Sequence, residues 1–132
     1  MKDKRNETLA KILLTYSVDL QPGEKLMIDI RGTGGLGMAQ EVVRQATQMG
    51  GVPLWYYNDP SIVRPWVQGA SEEQMEAFGQ LHLKLMKEID AWLCLYAPDN
   101  PFDLADVDGK QLQLYRRLYS EPVHLEERVN NT

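Results

Sequence analysis

The sequence predicts an α/β fold, a small parallel β-sheet of about three to four strands with helices packed on its faces. Segments with apolar residues at helical spacing alternate with short apolar runs that suit strands. Turns rich in glycine and proline separate these segments. The order helix, strand, helix, strand is typical of a parallel sheet, because each crossover returns the chain to the edge where the next strand begins. Since 132 residues match the size of one domain, we expect residues 1–132 to form a single α/β domain.

Apolar residues at helical spacing predict the first helix over residues 6–17. Its apolar positions are Leu9, Ile12, Leu13 and Tyr16. The dipeptide Pro22-Gly23 then predicts a turn, and the run from Lys25 to Ile30 predicts the first strand.

A glycine-rich loop, residues 32–37, follows the first strand directly. The second helix comes next, and we expect it to end at Gly50-Gly51 because glycine commonly terminates helices. Its apolar positions are Ala39, Val42, Val43, Ala46 and Met49. The apolar and aromatic run over residues 52–57 predicts the second strand.

The second half of the chain begins with a short predicted helix over residues 62–67, which Pro65 interrupts. Ser71 and Gln74 match a capping box, in which each side chain bonds the backbone amide of the other residue. A long helix is therefore expected to begin there. Its predicted buried stripe consists of Met75, Phe78, Leu85 and Ile89.

The uninterrupted apolar run over residues 91–97 predicts a third strand that is covered on both faces. Asp108 with Gln111 matches a further helix cap, and the helical pattern continues to Leu118. Residues 123–132 also have a helical pattern.

Charge and composition exclude several classes of partner. The net charge is −5, and residues 71–132 hold 12 acidic and 6 basic side chains, so we expect no nucleic-acid binding. No apolar run approaches the length of a membrane span, and the first residues do not form a secretory signal, so we expect no membrane association. Cys94 is the only cysteine, which excludes an internal disulfide and favours a cytoplasmic location.

No residue of the chain is predicted to be catalytic or to bind a metal. The two histidines, His82 and His124, lie 42 residues apart, and His82 is expected to be a partly exposed helix residue. Cys94 lies within a predicted strand, where it is expected to be a small buried apolar residue with no group to stabilise a thiolate.

The glycine-rich loop matches one known binding motif. Gly32, Gly34 and Gly37 fit the pattern G-x-G-x-x-G between a strand and a helix, and Asp59 follows 22 residues after the last glycine. In dinucleotide-binding domains, such a loop binds the pyrophosphate and such an acid binds the ribose. Asp29 and Arg31 weigh against this hypothesis, because the central strand of that fold is normally apolar on both faces.

Ligands of open α/β sheets bind beyond the carboxyl ends of the strands. The corresponding loops here are residues 31–37, 58–60 and 98–101. The candidate ligand-facing residues in these loops are Arg31, Gly34, Gly37, Asp59, Asp99 and Asn100.

The order of segments resembles a known family. Residues 9–24, a helix ending in Tyr16-Ser17 before a Pro-Gly turn, resemble the opening of the aminopeptidase T/S family of thermophilic-type, leucyl aminopeptidase-like metalloaminopeptidases. Residues 70–74 are similar to the start of that family's long helix. Its third-strand region has counterparts at residues 89–91, 97–101 and 104–108. The resemblance extends from about residue 7 to about residue 128.

The resemblance implies an N-terminal domain of a longer, cytoplasmic enzyme. Members of the family hydrolyse N-terminal residues from peptides with two divalent metal ions, cobalt or zinc. Their metal ligands lie in a C-terminal domain that is absent here, so no ligand is assigned to this chain. The chain is expected to shield the active site, to contribute to a homodimer and to be inactive in isolation.

Two alternative functions remain open on the sequence. The chain is a non-catalytic assembly or binding module that associates through Trp66 or the long acidic helix, or it is a dinucleotide-binding domain that uses the glycine-rich loop.

Overall fold

The computed structural model describes residues 4–96 and 107–118 of the chain. Two compact units are present. The described part of the first unit comprises residues 4–59 and 89–96, and that of the second comprises residues 60–88 and 107–118. The expectation of a single domain stays a prediction.

The first unit is built on a parallel sheet of three strands. These are β1 (Lys25–Arg31), β2 (Val52–Tyr57) and β3 (Ala91–Tyr96), in the spatial order β2-β1-β3. Both neighbours of β1 run parallel to it. The structure therefore confirms the predicted α/β fold class and its small parallel sheet, and the second strand has the predicted bounds.

Two helices of the first unit complete its hydrophobic core. Helix α1 (Lys4–Ile12) continues into a wider π-helical turn (Leu13–Ser17), and α2 (Leu36–Gln48) connects β1 to β2. Leu26, Ile28 and Ile30 of β1 lie in one buried cluster with residues of both helices. The helical members of that cluster include Ala10, Leu14, Ala39, Val42 and Ala46. Small alanines at these positions allow the helices to approach the sheet closely.

The end of α2 confirms the predicted glycine stop. Gly50 has φ +82°, a left-handed conformation that side chains with a Cβ rarely adopt. Its carbonyl accepts a hydrogen bond from the amide of Gly23 at 2.8 Å. The amide of Val52 then donates to the carbonyl of Glu24 at 2.7 Å, so this turn aligns β2 with β1 from its first residue.

The second unit contains α3 (Pro60–Gly69), α4 (Glu72–Glu88) and α5 (Gly109–Tyr115). The predicted capping box of α4 is present. The amide of Ser71 donates to Oε1 of Gln74 at 2.8 Å, and the amide of Gln74 donates to Oγ of Ser71 at 3.2 Å. Pro65 is accommodated inside α3, which extends beyond the predicted helix at both ends.

The predicted buried stripe of α4 is half wrong. Met75 and Ile89 are buried, but Phe78 is 51% exposed and Leu85 is 37% exposed. The Phe78 ring packs against Trp66 of α3 with ring centroids 5.1 Å apart, and this contact covers one side of it. The prediction of a partly exposed His82 is also wrong, because this residue is only 7% exposed and lies on the buried face of α4 with Gly79 and Met86. The centroid of its ring lies 6.3 Å from that of Phe78.

Asp108 caps the start of helix α5, as predicted. The Asp108 carboxylate accepts a hydrogen bond from the amide of Lys110 at 3.2 Å. Gln111 does not take part in this cap. Its side-chain amide instead donates to the carbonyls of Val67 and Ala70 at 2.8 and 3.0 Å, where α3 ends. The helical pattern predicted over residues 123–132 lies outside the described residues.

Candidate functional site

The sheet of the first unit carries its polar residues on one face. Side chains alternate along a strand, so Asp29 and Arg31 of β1 lie on the opposite face from Ile28 and Ile30. Parallel register places Asp29 opposite Tyr56 of β2 and opposite Cys94 of β3. Trp92 lies on the same face of β3 as Cys94. These residues, Asp29, Arg31, Tyr56, Trp92 and Cys94, are called the polar face below.

A buried ion pair lies at the centre of the polar face. Asp29 is fully buried, and its Oδ2 accepts hydrogen bonds from Nε and Nη2 of Arg31 at 3.0 and 2.8 Å. A quarter of the Arg31 side chain, 26%, remains exposed. Oδ1 of Asp29 is also buried and accepts no hydrogen bond within the described part of the chain. A carboxylate in such a position depends on its cation, because an uncompensated buried charge is costly.

The ion pair shifts the pKa values of its neighbours. Burial alone lowers the pKa of the Arg31 guanidinium, but the hydrogen bond and the negative charge of Asp29 outweigh burial and raise it. Burial raises the pKa of the Tyr56 hydroxyl, and the charge of Asp29 raises it further. Burial likewise raises the pKa of the Cys94 thiol, with Arg31 acting in the opposite direction and Asp29 in the same one.

These shifts define what the polar face can do chemically at neutral pH. Tyr56 stays a neutral hydroxyl, Cys94 stays a thiol and Arg31 stays charged. A thiol with a raised pKa is a poor nucleophile. The sequence predicts a buried Cys94, and the structure shows that this residue is only half-buried. The polar face therefore supplies a fixed positive charge and hydrogen-bonding groups, and neither Tyr56 nor Cys94 is an activated nucleophile.

The loop after β1 is more ordered than a flexible glycine loop. Gly32 adopts φ +99°, residues Thr33–Gly35 form one turn of 3-10 helix, and α2 begins at Leu36. Gly34, a predicted ligand-facing residue, lies in the 3-10 turn and is exposed, whereas Gly37 lies in the first turn of α2. The two residues are thus held in successive helical turns.

Gly35, which the motif pattern passes over, packs closely against the ends of β1 and β3. A Cβ atom at Gly35 would lie 3.3 Å from both Cβ and the carbonyl oxygen of Leu95, and 3.6 Å from Ile30. The absence of a side chain lets the loop pack onto the ends of β1 and β3. The sequence offers a signal for this position only in the double glycine Gly34-Gly35.

The remaining predicted residues divide between the second loop and the undescribed part of the chain. Asp59 follows β2, and its Oδ2 accepts a hydrogen bond from the Tyr57 hydroxyl at 3.3 Å. Because β1 and β2 are parallel neighbours, Asp59 and Arg31 lie at the same edge of the sheet. Asp99 and Asn100 lie outside the described residues.

The residues present do not fit a metal centre. Within residues 4–96 and 107–118, no group of three or more histidine, cysteine, aspartate or glutamate side chains is placed to hold a metal ion. A catalytic metal site requires about three such protein ligands. No catalytic step through a metal is therefore assigned to these residues.

Residues 4–96 and 107–118 contain no helix with the length and apolar character needed to cross a membrane.

Comparisons with known proteins identify a family and a fold. The family model described as thermophilic metalloprotease (M29) matches residues 2–129 of the chain. The structure of wild-type AmpT from Thermus thermophilus is similar to this fold with a TM-score of 0.71 and 18% sequence identity. The similarity covers 96% of this chain and 34% of that chain, so this chain spans about a third of the length of AmpT. A search of curated proteins finds no match.

Proposed function

The chain belongs to the M29 family of thermophilic metalloproteases, and from this membership we propose that it is the N-terminal domain of a metal-dependent aminopeptidase. The complete enzyme would remove N-terminal residues from peptides with two divalent ions, cobalt or zinc. The observation that carries the proposal is the family match, which extends over residues 2–129. The fold similarity to a third of AmpT is consistent with a domain of a longer enzyme.

In this proposal residues of this chain line the active site, and the metal ligands lie in another part of the enzyme. The carboxyl edge of the sheet is the surface that would face the peptide, because Arg31, Gly34 and Asp59 all lie there. Arg31 is held in one orientation by two hydrogen bonds from its guanidinium to Asp29. It would present a fixed cation to the carbonyl or carboxylate oxygens of a peptide.

We also propose that the protein is a cytoplasmic homodimer that binds neither nucleic acid nor membranes. The net charge of −5 supports the absence of nucleic-acid binding, because an acidic surface repels phosphate. The single cysteine supports a reducing compartment.

Metal analysis and a cleavage assay test the aminopeptidase proposal directly. The 132-residue chain, dialysed against Co²⁺ or Zn²⁺, is expected to retain no stoichiometric metal and to leave an aminoacyl p-nitroanilide uncleaved. A chain extended through the rest of its reading frame is expected to cleave the same substrate, to lose activity with a chelator and to regain it with added metal. Cleavage by the short chain, or none by the extended one, would contradict the proposal.

A titration calorimetry experiment separates this function from the dinucleotide hypothesis. That hypothesis stays a prediction, and it requires heat of binding when NAD or NADP is added to the 132-residue chain. The aminopeptidase proposal expects no such heat at millimolar ligand. An Asp59→Asn variant serves as the matched control if binding is observed, since an acid at this position would bind the ribose hydroxyls.

A further inference from the structure

Arg31 is the last residue of β1, and its guanidinium is anchored inside the sheet. Nε and Nη2 both donate to Oδ2 of Asp29, at 3.0 and 2.8 Å, and Asp29 is fully buried. The chain turns at Gly32, with φ +99°, immediately after Arg31. Because the anchor lies on the same strand, the guanidinium keeps one orientation relative to the carboxyl end of the sheet.

The ion pair is oriented, with its negative end buried and its positive end partly exposed. Asp29 has no exposed surface, whereas 26% of the Arg31 side chain is exposed. Tyr56 and Cys94 lie beside Asp29 in register, and their raised pKa values keep both neutral at neutral pH. A molecule that approaches Arg31 from solvent therefore meets the cation before the carboxylate, although the chain as a whole has a net charge of −5.

The shape of the guanidinium favours a carboxylate over a single carbonyl oxygen. A guanidinium is planar and has several N–H groups, so it can donate to acceptors at more than one of its edges. Nε and Nη2 form the edge that bonds Asp29, and Nη1 with Nη2 forms a second edge in the same plane. A carboxylate has two oxygens that match such an edge, and hydrogen bonds between ionised groups are roughly twice as strong as neutral ones.

We propose that Arg31 binds the C-terminal carboxylate of a short peptide substrate, so that the complete enzyme favours small peptides with a free carboxyl terminus. This specificity rests on the proposed aminopeptidase function and names its substrate class. A cation held at one point selects for peptide length, because only a carboxylate at the right distance from the scissile bond reaches it. A longer peptide places an uncharged peptide group at the same point and gains less from Arg31.

Kinetics of the complete enzyme, the chain extended through the rest of its reading frame, test this specificity. Leu-Gly, Leu-Gly-Gly and Leu-Gly-Gly-Gly are compared with their C-terminal amides, which differ only in lacking the carboxylate. Leu-Glu amide, which has a carboxylate on a side chain only, distinguishes the two sources of this group. The measured quantity is the ratio of kcat/KM between each free acid and its amide. This ratio does not depend on the folded fraction of the enzyme, so it is valid in destabilised variants.

Variants at two arginines assign the preference to Arg31. Arg31→Lys keeps a cation beside Asp29 but cannot form a planar pair of hydrogen bonds with a second carboxylate. The double variant Asp29→Asn with Arg31→Met removes the cation without leaving a buried carboxylate unpaired. Arg44→Met is the matched control, because Arg44 forms an ion pair with Glu41 on α2, a helix that packs against the opposite face of the sheet.

We expect the wild-type enzyme to favour at least one free acid over its amide by about tenfold or more, mainly through a lower KM. Both Arg31 variants should bring that ratio close to unity, and Arg44→Met should leave it unchanged. Equal rates for acids and amides, or a preference that persists without Arg31, would overturn this specificity and leave the aminopeptidase proposal standing. A preference for Leu-Glu amide that depends on Arg31 would overturn the assignment to the C-terminus. Cleavage of none of these peptides would contradict the aminopeptidase proposal itself.

Discussion

Arg31 donates two hydrogen bonds to a single carboxylate oxygen of Asp29, from Nε at 3.0 Å and from Nη2 at 2.8 Å. The two residues lie two positions apart on β1, the central strand. Asp29 is fully buried, and the other buried side chains of β1 are apolar. The pair explains how a carboxylate is tolerated within the sheet, since the guanidinium offsets the cost of burying it. It also fixes the Arg31 cation at the carboxyl end of β1.

The first prediction concerns the loss of one partner of this pair. Arg31→Met leaves the Asp29 carboxylate buried without its cation, and we expect the free energy of unfolding to fall by about 3 kcal/mol. Urea denaturation followed by circular dichroism measures this change. The double variant Asp29→Asn with Arg31→Met should recover part of the loss, because the buried charge is then removed. A loss below about 1 kcal/mol in Arg31→Met would show that the pair contributes little.

The second prediction concerns alkaline pH. The pKa values of Cys94 and Tyr56 are raised in the folded chain from usual values of 9.0 and 10.0. The unfolded chain therefore loses these protons first, so the stability they contribute is complete below about pH 9 and declines as the pH rises above it. Unfolding free energies measured from pH 7 to pH 11 should show this decline.

Two variants assign the alkaline decline to its residues. Tyr56→Phe should reduce the decline above about pH 10, and Cys94→Ala should reduce the part that begins near pH 9. Tyr16 is 80% exposed, so Tyr16→Phe is the matched control and should leave the profile unchanged. An identical slope in wild type and Tyr56→Phe would refute the role given to Tyr56.

The third prediction tests the turn that aligns the two strands. Gly50 has φ +82°, and a Cβ there would meet Pro22 only at an ordinary 3.5 Å. The cost of Gly50→Ala therefore comes from the backbone conformation, and we expect about 1–2 kcal/mol of destabilisation. Gly69→Ala is the control, because a Cβ at Gly69 has no neighbour within 4 Å and its φ is not left-handed. Equal thermal unfolding of the two variants would contradict this explanation.

Local chemistry in the sequence was sufficient to predict several elements. The Ser71–Gln74 capping box and the stop at Gly50 depend on residues a few positions apart, and both are present. The side of α4 that is buried could not be predicted in this way. Phe78 is half-exposed because Trp66, on another helix, covers only one side of its ring, and periodicity within α4 contains no information about that contact.

The polar face was only partly accessible from the sequence. The sequence is sufficient to place Asp29 and Arg31 on one side of β1, because alternation within a strand is a local property. The position of Tyr56 and Cys94 beside Asp29 depends on the register of the three strands. Hydrogen bonds between segments that are distant in the sequence determine this register. The glycine motif indicated Gly34 and Gly37, whereas the close contact with Leu95 occurs at Gly35, since the position of β3 decides it.

The fourth prediction concerns the hydrogen bonds to the backbone carbonyl groups at the end of α3. The Gln111 side chain donates to the carbonyls of Val67 and Ala70, which have no further turn of helix to bond them. Gln111→Met keeps the length of the side chain but removes the donor, so we expect a loss of about 1–2 kcal/mol in unfolding free energy. Gln113→Met, at an exposed position of the same helix, is the control and should change stability little. Faster amide exchange at the end of α3 in Gln111→Met alone would support this role, and equal stability of the two variants would contradict it.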